Sequence, residues 1–173
     1  MKTKTVNMYD FEELSEKAQE AALQEIASVN SEYEWYESVY EDAEMAGLKI
    51  TSFDLDRNRH AKGKFVHGAE DCANYIIDNH GEKSETYITA ELYLNNKAQT
   101  LNNAELDANG EFANEYSLDC TLDDLDADFL RSILEDYAVI LEKEWEYINS
   151  KEVILESVNA NGYMFTIDGE LTS

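Results

Sequence analysis

The sequence predicts an α+β fold, a single domain over residues 1–173 with amphipathic helices packed on a small antiparallel sheet. Three observations carry this. Apolar residues recur at helical spacing over Ser15 to Val29, Ala69 to His80 and Leu122 to Ile148. Between the first two of these, Leu48 to His67 reads as two strand-like stretches around a polar turn. The chain has 173 residues, 43% hydrophobic and 11% aromatic, which is enough for a core and argues against disorder despite its charge. Helices and strands follow no regular alternation, so a parallel sheet is not indicated.

Taken in order, Lys4 to Tyr9 is a short candidate strand. Asp10 and Glu13 have the spacing of a capping box. Ser15 caps a helix through about Val29, with Ala18, Ala22, Ile26 and Val29 on one face. A second helix is expected from Glu32 to Ala46, followed by Gly47 where a C′ glycine belongs. Leu48 to Asp56 reads as a strand, Arg57 to Lys62 as its turn and Gly63 to His67 as the return. Ala69 to His80 is a helix with Cys72, Ala73, Ile76 and Ile77 inward, closed by Gly81. Another runs from Glu85 to Leu94. Residues 95–120 are rich in Asn, with a turn at Asn109-Gly110, and form a weakly structured or hairpin excursion. The longest helix follows from Leu122 to Ile148, striped by Leu125, Phe129, Ile133, Tyr137 and Ile140. Ser150 caps a short helix through Asn159, Gly162 breaks it, and Tyr163 to Ile167 is a final strand turning at Asp168-Gly169.

The balance of 38 acids against 13 bases gives a formal net charge of −25. Residues 1–47 hold 12 acids and 3 bases, 48–100 hold 8 and 7, and 101–173 hold 18 and 3, so both ends are acidic and the middle is nearly neutral. Such a field repels nucleic acid and anionic membranes and attracts basic proteins. No apolar run approaches the ~18 residues of a membrane span. The start MKTKTVNMYDF lacks the apolar core of a signal peptide. Cys72 and Cys120 are too few for a disulfide scaffold, which leads to the expectation of a cytoplasmic protein.

On a helix, Glu34, Glu37, Glu41 and Glu44 fall within about 80° of arc, opposite Tyr33, Trp35, Tyr36, Val39, Tyr40, Ala43 and Ala46. In the long helix, Asp124, Asp128, Glu135, Glu142 and Glu146 share a second narrow arc. An acidic solvent face also keeps a protein soluble. Against that plain reading, like charges three and four residues apart repel, and few bases stand between them. Arg131 is the main exception, placed to pair with Asp128 or Glu135. A carboxylate row can also stand in for the phosphates of a nucleic-acid strand on a basic protein.

Lys49, Arg57, Arg59, Lys62 and Lys64 form a basic hairpin. Arg57, Arg59, Lys62 and Lys64 are candidates for an anion or nucleotide site, or else they offset the acidic helices internally. The stretch DLDRNRHAKGKF departs from a calcium loop, with Arg59 in place of its glycine and Phe65 in place of its final glutamate. His60 and His67 have no partner at zinc spacing, and His80 suits a helix C-terminus. No metal and no cofactor are expected. The chain contains no glycine-rich phosphate loop, GxSxG or HExxH, so an enzyme is not expected and no catalytic residue is assigned.

The stretches TVNMYDFEELSEKAQEAAL, YEDAEMAGLKITSFDLDR, GKFVHGAEDCANYIIDNHGE and FLRSILEDYAVILEKEWEYINSKEVILESVNANGYMFTIDGEL resemble a group of small acidic phage and prophage proteins, some of them labelled antitoxins of toxin–antitoxin systems. The resemblance implies expression in a bacterial cytoplasm and transfers no catalytic residues. Together with the charge, it leads to the expectation of a non-enzymatic inhibitor of a nucleic-acid-handling defence protein, of restriction or CRISPR type. The two acidic rows would face a basic host protein, with no direct nucleic-acid or membrane partner. The alternatives are an antitoxin-like protein that neutralises a specific toxin, and a small-molecule or nucleotide binder using the basic hairpin 49–64. The surplus of Tyr and Trp permits a homodimer.

Overall fold

The computed structural model describes residues 7–106 and 112–172. They form two compact units, Met1–Glu37 with Lys143–Ser173, and Ser38–Glu142. Among the described residues the fold is α+β, with six α-helices and one two-stranded antiparallel sheet. The elements are α1 (Glu16–Ser31), α2 (Glu37–Met45), β1 (Leu48–Asp54), β2 (His60–Phe65), α3 (Ala69–Asn79), α4 (Glu85–Asn103), α5 (Glu115–Ile148) and α6 (Lys151–Asn161).

In the smaller unit the local signals act as read. The Asp10 N–H donates to Glu13 Oε2 at 3.0 Å, in the capping box of a short 3-10 helix, Phe11–Glu13, that precedes α1. Ser15 Oγ accepts from the Ala18 N–H, and Ser150 Oγ from the Val153 N–H. Ala18, Ala22 and Ile26 of α1 are buried in one core with Ile154 and Val158 of α6, joined by Phe11, Leu14 and Phe165. Phe11 meets Phe165 edge-on at 6.2 Å. Gly162, at φ 62°, ends α6 in the left-handed conformation.

The final strand is a correction. Tyr163 to Ile167 forms isolated bridges only, Phe165 to Tyr9 and Phe165 to Leu171. The chain reverses at Asp168-Gly169, with the Gly169 N–H donating to Thr166 O. The Leu171 N–H is then taken by the Glu25 carboxylate at 2.7 Å, which leaves no donor there to extend a ladder. Of the expected strand Lys4 to Tyr9, residues 4–6 lie outside the described residues.

In the larger unit β1 and β2 pair antiparallel, with Leu48 opposite Phe65, Lys49 opposite Lys64 and Asp54 opposite His60. The register shifts between Ile50 and Ser52, and the Thr51 hydroxyl donates to Lys62 O across the irregularity. The return strand thus begins at His60 rather than Gly63. The helices pack on this sheet through rings. Phe65 stacks on Phe129 of α5 at 5.5 Å, Phe129 on Tyr93 of α4 at 4.4 Å, and Tyr40 of α2 meets Phe53 of β1 at 6.1 Å. Cys72, Ala73 and Ile76 of α3 are buried, Cys72 completely, which pushes its thiol up to about 12.

Three boundaries differ from the sequence reading. The second helix starts at Glu37, not Glu32, because Tyr33 to Glu37 is a tight turn in which the Trp35 N–H donates to Tyr33 O and that of Glu37 to Glu34 O. The helix α4 continues to Asn103 and α5 begins at Glu115, so only 104–114 remains of the expected excursion 95–120. Asn costs a helix only a few tenths of a kcal/mol per residue, and extending a formed helix is cheap. Lys97 anchors the added turns, its ammonium 3.2 Å from Glu70 of α3 and 4.0 Å from Asp126 of α5. The turn at Asn109-Gly110 lies outside the described residues.

A polar chain crosses the larger unit. The buried Tyr137 hydroxyl donates to Asp42 Oδ2 at 2.8 Å, Asp42 Oδ1 lies 3.6 Å from His80 Nε2, and His80 Nδ1 lies 2.8 Å from the Thr86 hydroxyl. Burial and the adjacent Asp42 carboxylate hold the Tyr137 hydroxyl far above its ordinary pKa. Tyr137→Phe, which keeps the ring and removes this bond, is expected to cost about 1–2 kcal/mol in urea unfolding.

Candidate protein-interaction surface

Of the first acidic row, Glu37, Glu41 and Glu44 lie on α2 and are exposed. Glu34 is exposed but sits in the turn before the helix, so it does not belong to a helical row as expected. Along α5, Asp124, Asp128, Glu135 and Glu142 belong to the larger unit and Glu146 to the smaller. All are exposed except Glu142, which is partly covered.

Two members of the second row are neutralised. Arg131 pairs with Asp128 one turn away, the nearer of its two expected partners in sequence. Arg59 from the β1–β2 turn pairs with Glu142. Asp124, Glu135, Glu41 and Glu44 form no ion pair among those of the described residues. The unneutralised carboxylates therefore divide between the two helices.

Arg59 is thus removed from the expected anion site and acts as internal compensation. Arg57 is exposed in the turn, and Lys62 and Lys64 are exposed on β2. The register puts Lys49 directly opposite Lys64, with Lys62 opposite Ser52 on the same solvent side. Opposed like charges weaken a strand pair, so this basic face comes at a cost in local stability. Between β2 and α5 lies an open groove of about 360 Å³, lined by His60, Lys62, Leu130, Arg131, Leu134 and Glu135.

Two features escaped the sequence reading. Asp136, one residue after Glu135, is half-buried. Burial raises its carboxyl pKa, against a hydrogen bond from Thr89 that lowers it, and Glu85 and Glu135 raise it further. The second is the line Asp42–His80–Thr86, which has the order of an acid–base–hydroxyl relay. Thr86 is only 2% exposed, which leaves no room for a substrate at its hydroxyl, and that hydroxyl is also hydrogen-bonded to Ser84 Oγ at 3.1 Å. The relay holds α3 to the start of α4. Because its members are separated by 38 and 6 positions, no local spacing signals it.

Among the described residues no group of three or more His, Cys, Asp or Glu is arranged to hold a metal ion, and no helix is long and apolar enough to cross a membrane. Compared with known proteins, the chain matches no family model, no curated protein and no solved structure.

Proposed function

We propose that the protein is a non-enzymatic phage inhibitor of a bacterial nucleic-acid-handling defence protein, of restriction or CRISPR type, acting in the host cytoplasm. It presents carboxylates to the partner's basic cleft as a DNA backbone presents phosphates. One observation carries the reading. Along the part of α5 in the larger unit, acids recur on one side from Asp124 to Glu142, with Asp124, Asp128 and Glu135 exposed and Glu142 partly covered beside Arg59. At the usual helical rise they span roughly 27 Å. A DNA strand places a phosphate every ~3.4 Å, so the helix matches the length of about eight phosphates rather than their density. A basic cleft responds to field as well as register.

The solvent-facing Lys49, Lys62 and Lys64 favour a second reading, an anion or nucleotide site on the sheet. The net charge of −25 weakens it by repelling free phosphates.

The test is capture of partners from bacterial lysate at low and high salt, followed by a DNA-binding assay on each purified partner. The expected result is a DNA- or RNA-handling protein that is released at high salt and loses its nucleic acid when the inhibitor is added. Salt-resistant capture of a small toxin, with no effect on nucleic-acid binding, would replace this reading with that of an antitoxin.

A further inference from the structure

Within the larger unit an open groove of about 270 Å³ lies between α4 and α5. Its floor is the stacked pair Tyr93 and Phe129, both buried, and the Tyr93 hydroxyl is fixed by donating to Asp126 at 2.6 Å. Thr89, Leu92 and Asn96 line it from α4, and Leu125, Asp128 and Ser132 from α5. Leu92 is 60% exposed, and Ile88, one turn before it, is 48% exposed. Apolar side chains left in water beside a groove mark sites of association. Carboxylates gather at one end. Glu85 lies one turn before Thr89 on α4, and Asp136 one turn after Ser132 on α5. Thr89 bonds the Asp136 carboxyl, and Glu85 and Glu135 both raise its pKa, which sets the three acids close together. Asp136 Oδ2 is buried with no hydrogen-bond partner among the described residues. Glu85 and Glu135 are exposed and form no ion pair among those of the described residues, whereas Asp128 on the rim is paired with Arg131.

We infer that the α4–α5 groove is the docking site for a basic amphipathic helix of the protein partner. Its apolar side chains enter between Leu92 and Leu125, and its lysines or arginines face Glu85 and Glu135. This rests on the reading of the partner as basic and names the place where it is held. Charge complementarity selects the occupant. An amphipathic helix lays its apolar face into a groove of this kind, and its flanking charges choose between partners. The carboxylates repel phosphates, acidic peptides and the equivalent face of a second copy. The volume suits side chains, being below the roughly 300–1,000 Å³ of small-ligand pockets.

The full-length protein is titrated by calorimetry near physiological salt with a helical peptide of leucine and lysine whose leucines share one face. A scrambled peptide of the same composition is the control for charge alone. The expected result is saturable binding, about tenfold tighter than for the scrambled peptide. Leu92→Glu adds an attractive charge but takes an apolar wall from the groove, and is expected to weaken binding by about tenfold. Met45→Glu adds the same charge at an exposed apolar position of α2 and is expected not to weaken it. Circular dichroism checks that both variants fold. The same peptide with glutamate in place of lysine is expected not to bind, and its binding would overturn the selection by charge. Equal affinity for the scrambled peptide, or unchanged or tighter binding by Leu92→Glu, would place the peptide on the acidic surface at large. That would overturn the docking site and leave the proposed function standing. No binding of either lysine peptide would overturn both.

Discussion

Reversing Asp124, Glu135, Glu41 and Glu44 to lysine together is expected to weaken binding to the target by about a hundredfold and to flatten its salt dependence. These four carboxylates are exposed and form no ion pair among those of the described residues, so no partner is stranded by their replacement. The fold is expected to survive, because the four side chains are exposed and pairs a turn apart on a helix are each worth only a few tenths of a kcal/mol. Reversal relieves Glu41 against Glu37 and Asp124 against Asp128, and leaves a like pair at 41 and 44 and a new one at 131 and 135. Asp128 and Glu142 are the internal control. Each already offsets an arginine, Arg131 or Arg59, and reversing it would leave that arginine facing a like charge. Their reversal should therefore cost stability more than binding. The measurement is the dissociation constant at two salt concentrations, with circular dichroism on every variant. Unchanged affinity in the quadruple variant would remove these four carboxylates from the mechanism.

The elements that were legible are those whose cause is local. Asp10 and Glu13, Ser15, Ser150, Gly47 and Gly162 each mark a helix end within one turn of themselves, and each does so in the structure. Boundaries set by distant partners were not legible. Trp35 leaves the helical pattern where it packs on Trp145, more than a hundred positions away, so the start of α2 cannot be read from its own periodicity. The extension of α4 rests on Lys97 meeting Glu70 and Asp126 on two other helices. The same distinction governs the surface. Arc position placed most of these carboxylates toward solvent, but Glu34 lies in the turn before α2 and Glu142 is partly covered. Which of them are neutralised depends on pairs such as Arg59 with Glu142, 83 positions apart.

Gly169→Ala is expected to be the most destabilising single-methyl change in the smaller unit, costing about 3–4 kcal/mol. Gly169 holds φ at 88°, and a Cβ built there would lie 2.1 Å from Ala18 O and 2.9 Å from Ala18 C, backbone atoms of α1. Neither side can yield through a side chain. Relief requires lifting the Thr166–Gly169 turn from α1, which endangers the Leu171 N–H bond to Glu25 and the seat of Phe165 in the core. Gly162→Ala separates the two causes. Its φ of 62° imposes the left-handed strain, yet nothing lies within 4 Å of its added Cβ. The loss there is expected to be about 1 kcal/mol, the cost of the backbone conformation alone. Urea unfolding of both variants, followed by far-ultraviolet circular dichroism, reads the difference. Equal midpoints would mean that the turn does not rest on α1 in solution. A clearly lower midpoint for Gly169→Ala would locate the closure of this unit at the contact between a C-terminal glycine and the backbone of its first long helix.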